Sequence, residues 1–293
     1  MRHNNIKITG VDRMSHPNHA FPVLSARDKL LPFYLLGIGL HHEQEHIYRD
    51  PGIQDYQWIQ CRSGEGKLKL SGTEHIVKQG MGMLLFPGQQ HEYYALSGSW
   101  KVDWIIFDGS GSAGLFETVG IVDTCVFTLA SPEYLLPGMK ELLKAALTPQ
   151  GQTLSNYACS AILYTLLTEI IQRISVEGSD TVGQQYERLK PVLDYIDQHY
   201  AEEITLQTLA GLMCVTPEYF CHLFKKMTGI RPISYVNQVR VNKSKELLLD
   251  NVQRGMQDIA HQVGFESASY YGAIFKKLER LTPGAFRRSY QKS

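Results

Sequence analysis

Residues 202–229 read EEITLQTLAGLMCVTPEYFCHLFKKMTG, and they decide what the C-terminal third of the chain is. Leu206, Leu209, Ala210 and Met213 recur at i, i+3, i+4 and i+7, the apolar stripe of a short helix. Cys214 and Val215 make the turn. Thr216 offers a hydroxyl at the N-cap, and Pro217 takes the first helical position, where its missing N–H costs nothing. The second helix buries Phe220, Leu223 and Phe224 and turns Glu218, Cys221, His222 and Lys225 outward. Gly229 ends it as a C′ residue. Helices joined this tightly cross steeply, so the second projects its outer face from the domain. The pattern is a helix-turn-helix with a candidate reader of a DNA major groove. Alone, it leaves an ordinary helical hairpin open.

The pattern recurs about fifty residues later. Leu209-Ala210 is echoed by Ile259-Ala260, Tyr219-Phe220 by Tyr270-Tyr271, Phe224-Lys225-Lys226 by Phe275-Lys276-Lys277, and Pro232 by Pro283. Repetition at a fixed offset marks a repeated supersecondary unit. Gly264-Phe265 lies in the second turn, and Ser267 is its N-cap candidate. Residues 233–250 between the units read as one helix, with Val236, Val239, Leu247 and Leu248 on its apolar side. At 1.5 Å per residue it spans ~27 Å, long enough to hold two reading helices about one DNA turn apart.

Residues 186–290 resemble the AraC/XylS transcription-regulator DNA-binding domain throughout. The carrying residues are IDQHY (196–200), ITLQTLA (204–210), YF…FKKMTG (219–229), YVNQVRV…LLL (235–249), IAHQVGFESASYY (259–271), FKK (275–277) and LTPGAFR (281–287). Two departures matter. Gly272 and Ala273 stand where the family usually presents polar or basic side chains, and neither can make a bidentate base contact. Gly272 also weakens its helix, by roughly 1 kcal/mol relative to Ala. Arg280 replaces the usual glycine, removing an inexpensive left-handed terminator. Base readout is therefore expected mainly from Glu218, Cys221, His222 and Lys225. Phosphate contacts are expected from Lys276, Lys277, Arg287 and Arg288, with Ala268 and Ser269 against thymine methyls or base edges.

The formal net charge of the 293 residues is zero, which looks unlike a nucleic-acid binder. The halves differ: residues 185–293 hold 15 Lys/Arg against 11 Asp/Glu, and residues 1–184 hold 14 against 18. A basic C-terminal domain behind an acidic N-terminal one confines DNA binding to one end. A hydrophobic content of 43% supports real cores. Cys61, Cys125, Cys159, Cys214 and Cys221 contain no C-x-x-C, so reduced thiols of a cytoplasmic protein are expected rather than a disulfide framework or zinc ribbon. The N-terminus lacks an apolar signal core, and no run reaches the ~18 apolar residues of a membrane span.

From Phe33 to Phe107 the texture changes to short alternating runs punctuated by glycine: FYLLGIGLHHE, YQWIQCRS, GKLKLSG, TEHIVK, MGMLLFP, HEYYAL and WKVDWIIFDG. Many short strands imply a sandwich or barrel. His42-Glu43-Gln44-Glu45-His46 spells H-E-x-x-H, but that chemistry needs a helix, and here a strand-like run precedes a Pro-Gly turn. A solvated edge strand is expected, with no metal. The segment resembles the cupin-like, jelly-roll sensor domain of AraC-type sugar regulators. It does so through Arg49…Gly52…Tyr56…Gly64-Glu65-Gly66, Gly80…Leu84-Leu85-Phe86-Pro87-Gly88…His91…Tyr93 and Trp100…Trp104…Phe107. The H-x-H strand of metal-binding cupins is missing, so catalysis and a cofactor are not expected.

By that resemblance Arg49, Tyr93 and Trp104 occupy ligand-contact positions, with His91 nearby. Tyr56 and Trp58 are further pocket candidates. Val102 replaces a polar histidine of the arabinose-type pocket, so arabinose itself is not supported. In residues 133–175 helical stripes recur: Met139, Leu142, Leu143 and Ala146, then Leu154, Ala158, Ala161, Ile162, Leu166, Ile170 and Ile174. The longer stripe either covers the barrel or pairs with a second subunit, as the family implies. The expected architecture is α+β and multidomain. Residues 1–130 form a cupin-like β jelly-roll barrel, 131–176 a helical dimerisation segment, 177–185 a linker, and 186–293 an all-α domain with two helix-turn-helix units. The resemblance implies a cytoplasmic, homodimeric transcription activator with double-stranded DNA, a small effector of the sugar class and RNA polymerase as partners. A constitutive DNA-binding protein with a scaffold barrel, or a cupin enzyme fused to a DNA-binding domain, are the alternatives.

Overall fold

The computed structural model describes residues 17–70, 72–96, 98–148, 155–175, 181–250 and 254–290. The chain forms two compact units that divide between Gly183 and Gln184. The first begins with β1 (His19–Ala20), β2 (Tyr34–Glu43), β3 (Ile47–Arg49), β4 (Tyr56–Ser63), β5 (Glu65–Leu70) and β6 (Thr73–Lys78). It continues through β7 (Met81–Leu85), β8 (His91–Ala95), β9 (Lys101–Asp108), α1 (Ser112–Glu117), β10 (Cys125–Leu129), α2 (Leu135–Leu147), α3 (Ser155–Arg173) and β11 (Ile174–Ser175). Gly64, Gly72, Gly80 and Gly88 have φ of 74° to 87°, the left-handed turns that side chains resist.

The strands build two antiparallel sheets, β1-β2-β9-β4-β7-β10-β11 and β3-β8-β5-β6. Between them lie Ile59, Cys61, Leu68, Val77, Met83, Leu85, Tyr93, Trp100, Val102 and Trp104. The other face of the larger sheet, with Leu35, Ile38, Tyr56, Trp58, Leu84, Ile105 and Phe107, packs on Met139, Leu142, Leu163, Leu166 and Ile170 of α2 and α3. The larger sheet is therefore apolar on both sides, and β4 is buried from Tyr56 to Cys61. The long stripe of α3 covers the barrel. Ala158 and Ala161 depart from it and are exposed, and Leu154 lies outside the described residues. The short strands β1, β3, β10 and β11 carry too little alternation to be read from sequence.

The second unit is helical: α4 (Val182–His199), α5 (Leu206–Gly211), α6 (Pro217–Thr228), α7 (Pro232–Asp250), α8 (Met256–Gln262), α9 (Ala268–Glu279) and α10 (Pro283–Tyr290). The expected linker needs correction, since residues 182–185 are already the first turn of α4 and residues 177–180 lie outside the described residues. Two cores form. One gathers Leu189, Ile196, Leu209, Phe220, Phe224 and Val236, the other Val241, Leu248, Ile259, Val263, Phe265, Tyr271 and Phe275. α7 enters both, through Val236 at one end and Val241 and Leu248 further on. One continuous helix thus spaces the two units.

Candidate nucleic-acid interface and barrel lumen

The two helix-turn-helix units repeat the same local bonds. Thr216 Oγ1 accepts from the Tyr219 N–H at 3.3 Å, and Ser267 Oγ from the Tyr270 N–H at 3.2 Å, each satisfying an otherwise orphaned donor. In the turns Val215 N–H donates to Ala210 O at 3.2 Å and Phe265 N–H to Ala260 O at 2.8 Å. The residue before each donor is left-handed: Cys214 at φ 55° and Gly264 at φ 87°. A left-handed residue also ends each reading helix. Gly229 (φ 76°) and Arg280 (φ 64°) donate to Lys225 O at 2.9 Å and to Lys276 O at 3.0 Å. The terminator is therefore kept in the second unit, with arginine bearing the steric cost.

On α6, Glu218, His222 and Lys225 are exposed and Cys221 is half-buried. Leu223 is only half-buried, because Phe220 and Phe224 fill the core. Tyr219 and Lys226 are exposed beside them; Tyr219 and its counterpart Tyr270 are 56% and 52% exposed. On α9, Ser269, Ala273, Lys276 and Lys277 are exposed, and Ala268 and Gly272 half-buried. Arg288 is exposed, whereas Arg287 is half-buried and donates to the Arg254 carbonyl at 2.8 Å. That bond ties Arg287 to the segment before α8.

In the first unit Arg49 and His91 are directly opposed on β3 and β8, so their side chains share the inward face. Arg49 Nη1 donates to Gln57 Oε1 at 3.1 Å. The His91 ring stacks on Tyr93, centroids 5.8 Å apart at 10°. Its Nδ1 sits 2.8 Å from the Gln89 carbonyl, while Nε2 is buried with no protein partner. Burial, then the Arg49 charge, lower the His91 pKa against the raising effect of the Gln89 bond; burial raises that of Tyr93. Trp104 lies on the same inner layer, 8% exposed, over Gly37 and Gly39. Phe21 approaches its ring at 5.6 Å and His42 edge-on at 6.2 Å.

Tyr56 and Trp58 do not join this group. They belong to the helix-facing core, one strand face away, and Gln57 and Ile59 take the inward positions. Strand alternation forces that choice. Gln57 is not among the residues singled out from the sequence; a polar side chain at the parity of Ile59 is its signal. The H-E-x-x-H residues also scatter. His42 faces Trp104, Glu43 accepts from Ser99 Oγ at 2.8 Å, and His46 Nε2 lies 2.8 Å from Glu92 Oε1. The left-handed bulge at His41, whose N–H meets Asp103 Oδ1 at 2.7 Å, shifts the register just before His42, and β2 ends at Glu43, so His42 and His46 do not share one strand. Among the described residues no group of three His, Cys, Asp or Glu could hold a metal ion. None of their helices is long and apolar enough to cross a membrane.

A two-sheet barrel with helices on one face and, in the same chain, paired helix-turn-helix units are the parts of a DNA-binding regulator with a ligand-binding domain. Residues 34–167 match the model of the AraC-like ligand binding domain, and residues 209–289 match a helix-turn-helix domain model. The chain is 34% identical over 246 residues to the HTH-type transcriptional regulator YdeC of Bacillus subtilis, covering 80% of this chain and 84% of that one. It is 23% identical over 244 residues to the arabinose operon regulatory protein of Salmonella typhimurium, covering 82% and 86%. It is 22% identical over 228 residues to the lactose operon transcription activator of Staphylococcus xylosus, covering 78% and 81%. The chain belongs to the AraC family of transcription regulators, with a DNA-binding helix-turn-helix domain and a ligand-binding N-terminal domain.

Proposed function

We propose that this regulator is a cytoplasmic, homodimeric activator whose barrel binds a carbohydrate effector, and that it is not an enzyme. The observation that carries the reading is the inward face between the two sheets. A polar cluster of Arg49, Gln57, His91 and Tyr93 shares one buried layer with the indole of Trp104. Sugars present both surfaces, hydroxyls at their edges and an apolar C–H face. Relatives named for arabinose and lactose operons support the same class.

α6 reads bases through Glu218, Cys221, His222 and Lys225; α9 and α10 hold phosphates through Lys276, Lys277 and Arg288, and Ala268 and Ser269 touch base edges. Effector occupancy shifts operator affinity, and operator DNA shifts effector affinity by the same factor. RNA polymerase is the downstream partner. For the dimer we assign the outer side of α3, where exposed Tyr157 and Tyr164 border an apolar groove of about 640 Å³. Thermal unfolding of the full chain against mono- and disaccharides tests the sugar reading. A saturable rise following RT ln(1 + [L]/Kd) supports it. A folded sample that no sugar stabilises moves the barrel to a non-sugar effector or a scaffold.

A further inference from the structure

We propose that Arg280 holds a DNA phosphate beside the end of α9, the part that Arg231 plays beside α6, an assignment resting on α9 as a DNA-facing helix. The repeat sets Tyr271 against Phe220, Arg280 against Gly229 and Pro283 against Pro232. Between the reading helix and the next helix, the first unit runs Gly229-Ile230-Arg231-Pro232 and the second Arg280-Leu281-Thr282-Pro283. Each connection carries one arginine, at exchanged places. In the second unit Thr282 is already engaged, since its Oγ1 accepts from the Ala285 N–H at 3.2 Å and caps α10. The arginine stands instead at the left-handed position, φ 64°, which Gly229 fills at φ 76° without steric strain. A strained arginine where glycine is the easier residue points to a use for its side chain.

Position and charge agree with that use. At about 100° per residue, positions 269, 273, 276 and 280 fall within about 60° of one another around the axis of α9. They correspond to 218, 222, 225 and 229 on α6, while Tyr271 and Phe275 fill the core from the other side. Ser269, Ala273, Lys276 and Arg280 are all exposed. Twelve helical residues span ~18 Å, against a major groove ~12 Å wide. A helix that reads bases with its first turns therefore carries its last turn over a flanking backbone. Glu279, the acid of α9, is taken by Lys245 at 2.6 Å, and Lys243 is taken by Asp197 at 3.1 Å. Among the described residues no carboxylate pairs with Lys276, Lys277 or Arg280. The guanidinium fork can give two parallel N–H bonds to the oxygens of one phosphate.

Binding of the full chain to a mixed-sequence duplex of about 30 base pairs, three helical turns, tests this between about 50 and about 200 mM salt. Arg280→Gly should bind more weakly, and its salt slope should fall by about one. The advantage of wild type over the variant should therefore shrink about threefold across that range. Arg280→Asn, which accepts the left-handed backbone and carries no charge, should do the same. A purely structural Arg280 predicts the opposite pattern, a less stable variant with an unchanged slope. Returning the arginine to the first unit's place, in Arg280→Gly/Thr282→Arg, should restore the slope; a slope left low overturns the equivalence with Arg231. Lys276→Ala tests the parent reading separately. If Lys276→Ala lowers the slope and Arg280→Gly does not, Arg280 holds no phosphate while α9 still faces DNA. If neither lowers it, the DNA-facing reading of α9 fails and this assignment fails with it.

Discussion

Arg240 and Tyr200 are joined at the centre of the DNA-binding unit: Arg240 Nε donates to the Tyr200 carbonyl at 2.7 Å. The same guanidinium donates through Nη2 to Glu202 O at 2.7 Å and lies over the Phe265 ring at 5.6 Å. Phe265 belongs to the second core, and the Tyr200–Glu202 carbonyls lead into Ile204 of the first. One side chain from α7 thus ties the approach to one helix-turn-helix to the turn of the other. Arg240→Met should cost about 2–3 kcal/mol, with Arg240→Lys intermediate because lysine cannot span both carbonyls. Urea unfolding of the full chain measures it; a Met variant as stable as wild type would refute the clamp.

The weak points of α9 are conformational. A Cβ added at Gly272 meets nothing within 4 Å, so Gly272→Ala should stabilise by roughly 0.5–1 kcal/mol. Arg280 sits at φ 64°, and Arg280→Gly should recover about 1 kcal/mol of left-handed strain. Chemical denaturation of each variant checks both signs.

Gly39 makes room for Trp104. A Cβ there would stand 2.4 Å from indole Cε2, against rigid aromatic atoms. Gly39→Ala should therefore cost about 1–3 kcal/mol and push the indole off its seat. Tryptophan fluorescence, compared between Gly39→Ala and Gly39→Ala/Trp104→Phe, reports the displacement. An unchanged emission spectrum would contradict it.

His91 makes stability depend on pH in a stated direction. Its native pKa lies below the ordinary imidazole value, chiefly through burial and then the Arg49 charge, despite the Gln89 bond. Below about pH 6.5 the unfolded chain takes up a proton that the native ring refuses, so stability falls as pH drops through that window. The slope from this group is at most about 1.4 kcal/mol per pH unit. His91→Gln should remove that part of the slope, read from denaturation midpoints between about pH 7.5 and about pH 5.5.

On DNA, His222→Ala or Glu218→Ala should change preference at one base position per half-site by ~1–3 kcal/mol. Lys276→Ala should weaken all sequences alike and lower the salt slope by about one. Ala273→Arg should alter operator preference. Binding isotherms over an operator library at two salt concentrations separate these effects, and an unaltered preference for Ala273→Arg would mean that α9 does not meet base edges.

Helix ends and turns were legible because they are local. Thr216, Pro217, Gly229 and Ser267 act through atoms within four residues, and the repeat at fifty residues announced two such units. Strand faces were less legible. β4 is buried on both sides, with one glutamine on each, so alternation in YQWIQCRS could not say which side faced the other sheet.

Local chemistry and periodicity by themselves determined the two helix-turn-helix units, the two-part order of the chain and the exposed Glu218, His222 and Lys225 of α6, while the class of protein came with the resemblance of residues 186–290. Those properties depend on hydrogen bonds and helical spacing that neighbours in the chain supply. Only the tertiary structure decided that Gln57, not Tyr56 or Trp58, faces the other sheet, that Arg287 bonds the Arg254 carbonyl before α8, and that His91 Nε2 is left without a protein partner. Each of these depends on what another strand or helix brings within about 4 Å, the reach of packing and hydrogen bonds.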